Sequence, residues 1–264
     1  MKSFKGDFEK MLDMLEKNEY FAFTRFSDGE LYILQNKEIW IKNNTCHHGR
    51  DGQVHQGWWG EEELKSFIPD QDQELRDKLI ECFSHKQLNY FKGICCKCCV
   101  GEKDWAWQFK NLLDPEEPHL TWSNVLINGN YYNFMTKMLP VMQQYDVVYT
   151  CNKMANLKQF PLNLKKDFRV GQNCHINDIQ LVEQMKEWVD KNKIENHLFL
   201  FSAASLSNIL IYELYKEFPN NTYMDIGSTL NPMLDLNGWM GSRGYLKGYW
   251  LKEQQENYFK YCVW

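Results

Sequence analysis

Several short stretches of this 264-residue chain carry residue types and spacings that could do chemistry. The first is Arg25-Phe26-Ser27-Asp28-Gly29-Glu30. In an extended segment, residues i and i+2 point to the same side, so Asp28 and Glu30 would converge. Gly29 lets the backbone bend or approach a ligand closely. Two hard carboxylate ligands suit Mg2+ or Mn2+, with a substrate diphosphate completing the shell. Arg25 would add a fixed positive charge for the same phosphates. The same residues also read as a turn in which Asp28 caps the following helix.

Further along, Asn128-Gly129-Asn130 and Cys151-Asn152-Lys153 each follow an apolar run. The amides of Asn128, Asn130 and Asn152 pair donors with acceptors and can read a base or a ribose, although Asn and Gly are also ordinary turn formers. Ser202-Ala203-Ala204-Ser205 precedes a helical pattern, where small residues and open backbone amides can cradle phosphate and Ser205 can serve as a cap. Met224-Asp225-Ile226-Gly227 places a carboxylate, Asp225, and a glycine after a late apolar run. Arg243, flanked by Gly241 and Gly244, could neutralise a leaving diphosphate or mark a surface turn. His47, His48, Asp51 and His55 crowd one Gly-rich loop, and Asp51 is the expected general base there.

Four of the nine cysteines fall in Cys95-Cys96-Lys97-Cys98-Cys99, which contains two overlapping C-x-x-C spacings. A structural zinc would need further ligands, for which Cys46, His47, His48, Cys82 and His85 qualify by type alone. Buried, reduced thiols are the simpler reading.

The elements that would position these residues follow from periodicity. Phe4, Phe8, Met11, Leu12 and Leu15 predict an amphipathic helix over 4–18. Strands are expected at 20–26, 38–42, 90–95, 122–127, 146–151, 168–170, 197–201 and 222–226, with a loop over 43–60. Helices are expected at 31–35, 70–83, 105–113, 131–144, 178–192 and 206–218. This alternation predicts an α/β fold, a Rossmann-like, mostly parallel sheet with helices on both faces. Ligands of such sheets bind at the carboxyl ends of the strands, where the stretches above lie.

Composition bounds the rest. The hydrophobic share of 44% can fill a sizeable core, and no repeat or Gly/Ser linker divides the chain, so a single domain over 1–264 is expected. The net charge of -5 argues against a protein that grips nucleic-acid phosphates. No apolar run is long enough for a transmembrane helix, and the charged start lacks a signal-peptide core, which together predict a cytoplasmic protein.

The motif order also resembles a known family. Arg25-Phe26-Ser27-Asp28-Gly29-Glu30 after a first strand is similar to the R-F-G-D-G-E element of the GT-D-fold glycosyltransferases. Tyr223-Met224-Asp225-Ile226-Gly227-Ser228 resembles the D-I-G element near that family's C-terminus, and the resemblance spans about residues 19–245. Ser27 stands where the family commonly has glycine, and serine fits there if the backbone is extended. The resemblance implies a metal-dependent transferase that moves a sugar from a nucleotide-sugar donor, a UDP-sugar ahead of a GDP-sugar, to a glycan hydroxyl. It implies Asp28 and Glu30 as ligands of Mn2+ or Mg2+. Arg25, Ser27, Gly29, Asn128, Asn130, Asn152, Ser202 and Asp225 would then surround the donor, with Arg243 and Asp51 serving the chemistry. Trp58 and Trp59 could stack on an acceptor sugar. The competing readings are a methyltransferase, a phosphoesterase, and a zinc-stabilised interaction module centred on residues 95–99.

Overall fold

The structure, a computed structural model, describes residues 6–47, 53–56, 63–112, 114, 117, 119–237 and 242–252. His48, Asp51, Trp58, Trp59 and Gly241, singled out above, lie outside the described residues.

Seven strands form one wholly parallel sheet: β1 (Ala22–Arg25), β6 (Tyr90–Ile94), β7 (Leu120–Trp122), β8 (Val147–Asn152), β9 (Leu164–Val170), β10 (Leu198–Phe201) and β11 (Thr222–Asp225). Their order is β7-β6-β1-β11-β10-β8-β9. The chain leaves β1 in the middle, fills one side with β6 and β7, crosses to β8 and β9, and returns through β10 to β11. The direction of winding therefore switches at β1, the point where open α/β sheets form their ligand crevice.

The inner strands read as unbroken apolar runs because both faces are covered. Alternate residues feed two separate cores. Ala22, Phe199, Phe201 and Tyr223 join one core with α3 (Gln73–Ser84), α8 (Leu181–Asn192) and α9 (Ser205–Glu217). Phe23, Leu198, Leu200 and Met224 join the other with α1 (Asp7–Glu16), with the helical stretch α5 (Tyr131–Asn133), a π-turn (Phe134–Met138) and α6 (Leu139–Met142), and with α10 (Leu246–Lys252). The outer strand β9 carries exposed Lys165 and Lys166, charges that discourage edge-to-edge pairing. Among the described residues no helix is long and apolar enough to cross a membrane.

The structure corrects several expected elements. The stretch predicted as a loop over 43–60 contributes β3 (Thr45–His47) and β4 (Val54–Gln56). With β2 (Ile39–Lys42) and β5 (Lys65–Phe67) they make a separate antiparallel sheet of order β4-β3-β2-β5. Asn43 and Asn44 turn the first hairpin with φ of 51° and 57°, the two left-handed residues that a type I′ turn requires. Helix α2 (Asp28–Leu34) starts three residues earlier than expected, and α4 (Lys97–Asn111) starts at the cysteines. Gly101, at φ 79° and ψ 172°, interrupts α4 after its first turn. Strand β9 begins at Leu164, and the strand expected over 122–127 ends at Trp122.

Candidate active site

Arg25 ends the central strand and is fixed from two sides. Its Nε donates to the Ser123 carbonyl, and its Nη2 donates to Ser27 Oγ at 3.2 Å. Ser123 can come this close because β6 carries Gly93 beside it. A Cβ on Gly93 would lie 2.8 Å from Ser123 Cα. The remaining guanidinium nitrogen, Nη1, stands 3.9 Å from Asp225 Oδ1, a loose ion pair. Gly227 leaves the space this nitrogen occupies: a Cβ there would fall 1.8 Å from Nη1, and the residue's φ of +49° favours glycine in any case.

Asp225 is buried, and its Oδ1 accepts the Gly227 amide at 2.8 Å. Burial pushes its carboxyl up to about 7. The Arg25 charge opposes that rise and the nearby Glu30 charge adds to it. The ion pair thus fails to offset the cost of removing the carboxylate from water.

Asp28 and Glu30 do not lie on an extended segment. They occupy the first turn of α2, where positions two apart face different ways. Asp28 is exposed and Glu30 is buried. Ser27 is the N-cap, with Glu30 three residues on in a capping box. Glu30 Oε2 accepts the Ser27 amide at 3.0 Å, and Oε1 accepts Ser205 Oγ at 2.8 Å. Burial, with a contribution from Asp28, raises the Glu30 carboxyl above its ordinary range, against the Ser205 hydrogen bond. Ser27 is extended, at φ -76° and ψ -168°, so serine sits there unstrained. Gly29 is helical, and a Cβ on it would meet nothing within 4 Å. The chain's own packing does not call for glycine at this position. The surface beside Asp28 is left open.

Two residues at this edge gave no clear sequence signal. Asn208, fully buried on α9, donates from Nδ2 to Thr24 Oγ1 and to the Arg25 carbonyl, both at 2.9 Å. It lies among the polar residues of the first turn of α9, with Ser205 and Ser207, which are also buried. Ser205, expected as a cap, is instead the first residue of α9 after the N-cap Ala204, and its hydroxyl goes to Glu30, a pairing the sequence did not reveal. Just before it, Ala204 holds φ 46° and ψ -140°, a strained setting for a residue with a Cβ, at the turn that starts α9.

The other predicted residues spread along the same edge. Ser202 follows β10 and pairs its Oγ with the Tyr149 hydroxyl at 2.9 Å. Asn152 is exposed at the end of β8, and its Oδ1 accepts the Met154 amide at 2.8 Å, as a turn former does. Asn128 (φ 55°) and the buried Asn130 lie in the turn leading into α5. Helix α10 packs against that turn, and Arg243, just before α10, lies over the Tyr245 ring at 5.8 Å. Arg25, Ser27, Asp28, Glu30 and Asp225 therefore form one connected group. Ser202 stands one strand from Asp225, Asn152 two strands away, and Asn128, Asn130 and Arg243 on a separate wall.

The cysteine run is only partly buried. Cys95 and Cys96 are buried, whereas Cys98 and Cys99 are exposed on the first turn of α4. No disulfide joins the described cysteines. A cavity of about 350 Å³ lies elsewhere, lined by Leu34, Arg76, Ile80 and Trp107 between α2, α3 and α4. Its one charged lining residue, Arg76, already donates to the Leu34 carbonyl.

Fold and edge together define a parallel α/β protein whose winding switch carries Arg25 among the carboxylates of Asp28, Glu30 and Asp225. The sequence matches no family model and no curated protein. The fold is similar to that of solved DUF1792 domains. One, described as a new glycosyltransferase from Streptococcus sanguinis, is 16% identical, with a TM-score of 0.54 over 84% of this chain and 80% of that one. Another, described as having a distinct glycosyltransferase fold, is 11% identical, with a TM-score of 0.52 over 84% of this chain and 77% of that one. A selenomethionine-substituted DUF1792 structure gives 0.53 at 11% identity. The chain shares the fold of these domains.

Proposed function

We propose that this protein is a glycosyltransferase that moves a sugar from a nucleotide-sugar donor, a UDP-sugar, to a hydroxyl of a glycan acceptor. The observation that carries the reading is Arg25. It is a guanidinium pinned at the switch-point edge by Ser123 and Ser27, with its third nitrogen only loosely paired, beside the exposed carboxylate of Asp28.

A divalent cation that arrives with its substrate would rest mainly on Asp28, because Glu30 lies on the buried side of the same helical turn. Such ions are commonly held by one or two carboxylates plus substrate phosphates. Asp28 faces solvent at the edge. Glu30 retains lone pairs on both oxygens beyond the two hydrogen bonds it accepts. Mn2+ or Mg2+ bound there would neutralise charge on the diphosphate as the sugar departs. The chain's own groups act on the same charge. Arg25 offers fixed N–H donors to a diphosphate oxygen, which strengthens as negative charge builds there. Glu30 orients the α2 turn by holding Ser27 and Ser205, and so places Asp28. Burial raises the Asp225 carboxyl, which weakens its hold on Arg25. Arg243 stands on the wall formed by α10 and the Asn128–Asn130 turn as a second cation for the leaving group. Asp51 is proposed as the acceptor's base. A phosphoesterase would bring more His or Asp ligands together. Among the described residues, the His, Cys, Asp and Glu side chains positioned in a group of three or more to share a metal are Cys96, Cys98 and Cys99 alone.

The test is release of nucleotide from UDP-sugars in the presence of Mn2+ and a glycan acceptor. Turnover should fall at least about 100-fold in Asp28→Ala and in Arg25→Ala. Unchanged turnover in both folded variants would defeat the reading.

A further inference from the structure

The turn that follows β6 carries a set of thiols that the proposed transfer chemistry does not use. Cys96 caps α4, and Cys98 and Cys99 lie in its first turn, closed by the Cys99 amide donating to the Cys96 carbonyl at 3.1 Å. Gly101 then breaks the helix, so this single turn is a unit of its own. The three Sγ atoms lie within 4.8 Å of one another, and those of Cys96 and Cys98 are 2.9 Å apart. Sulfurs bound to one tetrahedral Zn2+ at 2.3 Å sit about 3.8 Å apart, inside that spread.

The surroundings sort the cluster. Cys95 turns away, its thiol directed at the Phe26 carbonyl at 3.4 Å in the buried interior. Lys97 also turns away, paired with Glu102 and lying 5.9 Å from the Trp105 ring centre, so its ammonium does not occupy the space a cation would need. Asn124, from the loop after β7, directs Nδ2 at Cys99 Sγ (3.3 Å) and at Cys96 Sγ (3.5 Å). Donors of this kind orient and stabilise metal-bound thiolates from the outer shell. Cys98 and Cys99 are exposed, so a fourth coordination position faces solvent.

We propose that Cys96, Cys98 and Cys99 bind one zinc ion through three thiolates, with water or an external ligand in the fourth position. Binding releases the thiol protons, as thiolate ligation requires. Soft sulfur ligands select Zn2+ over the Mg2+ or Mn2+ proposed at Asp28, so the two sites would not compete. The ion would tie the β6–α4 turn, through Asn124, to the loop whose Ser123 carbonyl holds Arg25. It would thereby stiffen one wall of the edge described above. The proposal stands on the thiol geometry and does not rest on the glycosyltransferase reading.

The full-length protein, purified reduced and without chelator, should contain about one zinc per chain by elemental analysis. Co2+ added to the zinc-stripped protein should give thiolate-to-metal absorption. Cys98→Ser and Cys99→Ser replace exposed thiols and should fold normally, yet each should weaken Co2+ binding by at least about tenfold. Cys95→Ser should leave the cobalt spectrum unchanged. Absence of thiolate-to-cobalt absorption in the reduced wild type would overturn the proposal. So would an unchanged affinity in both exposed-thiol variants, or loss of the spectrum in a folded Cys95→Ser protein.

Discussion

Two buried ion pairs sit almost side by side in the sheet and behave in opposite ways. Lys92 on β6 lies beside Thr24 on β1, one residue from the neighbouring pair of Gly93 and Arg25. Lys92 Nζ donates to Glu117 Oε2 at 3.0 Å, to the Phe83 carbonyl at 2.8 Å and to the His85 carbonyl at 3.0 Å, which uses all three of its protons. Burial lowers its ammonium, and the Glu117 contact works against that. Arg25 and Asp225, by contrast, stand 3.9 Å apart at the strand ends, with the carboxyl raised to about 7. A saturated pair holds structure. On the proposed function, a loose, desolvated pair at an edge keeps binding capacity in reserve for a ligand. Burial alone does not separate the two cases; the count of satisfied donors does.

The largest effect expected from this contrast lies in the saturated pair. Glu117→Gln leaves Lys92 buried without its counter-ion and should cost about 3–5 kcal/mol of stability in urea unfolding. A loss under about 1 kcal/mol would mean that Lys92 finds water or deprotonates easily.

Gly227→Ala attacks the loose pair. The new Cβ would lie 1.8 Å from Arg25 Nη1, at a φ of +49°. A stability loss of about 1–3 kcal/mol is expected. UDP affinity should fall about tenfold as the guanidinium is displaced. Equal affinity, measured calorimetrically, would show that Arg25 does not need its present place.

The pH dependence sharpens the comparison. Asp225 holds its proton in the folded state up to about pH 7, whereas an unfolded aspartate loses it near pH 4. Between those values the folded state binds more protons, so this group makes stability fall as pH rises. Glu30, also raised, acts in the same direction. Asp225→Asn should flatten that decline between pH 5 and 7 by up to about 1.4 kcal/mol per pH unit. A steeper decline in the variant would contradict the sign.

The smallest effect concerns backbone strain. Ala204 sits at φ 46°, so Ala204→Gly should raise stability by about 1 kcal/mol, read as a higher urea midpoint with unchanged slope.

Much of the fold was legible because burial on two faces writes a simple code. The strands expected at 146–151 and 197–201 fall within a residue of β8 and β10, and the helix expected at 178–192 overlaps α8. The α2 start was obscured because Asp28-Gly29-Glu30 looks like a break. The S-x-x-E box of Ser27 and Glu30 was the signal that the helix had already begun. Of the small antiparallel sheet, the strand expected at 38–42 was legible as β2, whereas β3 and β4 were hidden by their short, largely exposed runs in a Gly- and His-rich stretch. At the site, the residue types at the strand ends were readable. Their partners were not: Ser123, Ser205 and Asn208 reach Arg25 or Glu30 from distant parts of the chain, and spacing carries no trace of such contacts.

The central claim is that the edge around Arg25 and Asp28 binds the diphosphate of a nucleotide-sugar. Calorimetric titration of UDP into the full-length protein, with and without Mn2+, tests it most directly. The account predicts Mn2+-dependent binding that is abolished in Asp28→Ala and weakened about tenfold or more in Arg25→Lys, where a point charge replaces the fixed fork. No UDP binding to the folded wild type, or the same affinity in both variants, would contradict it.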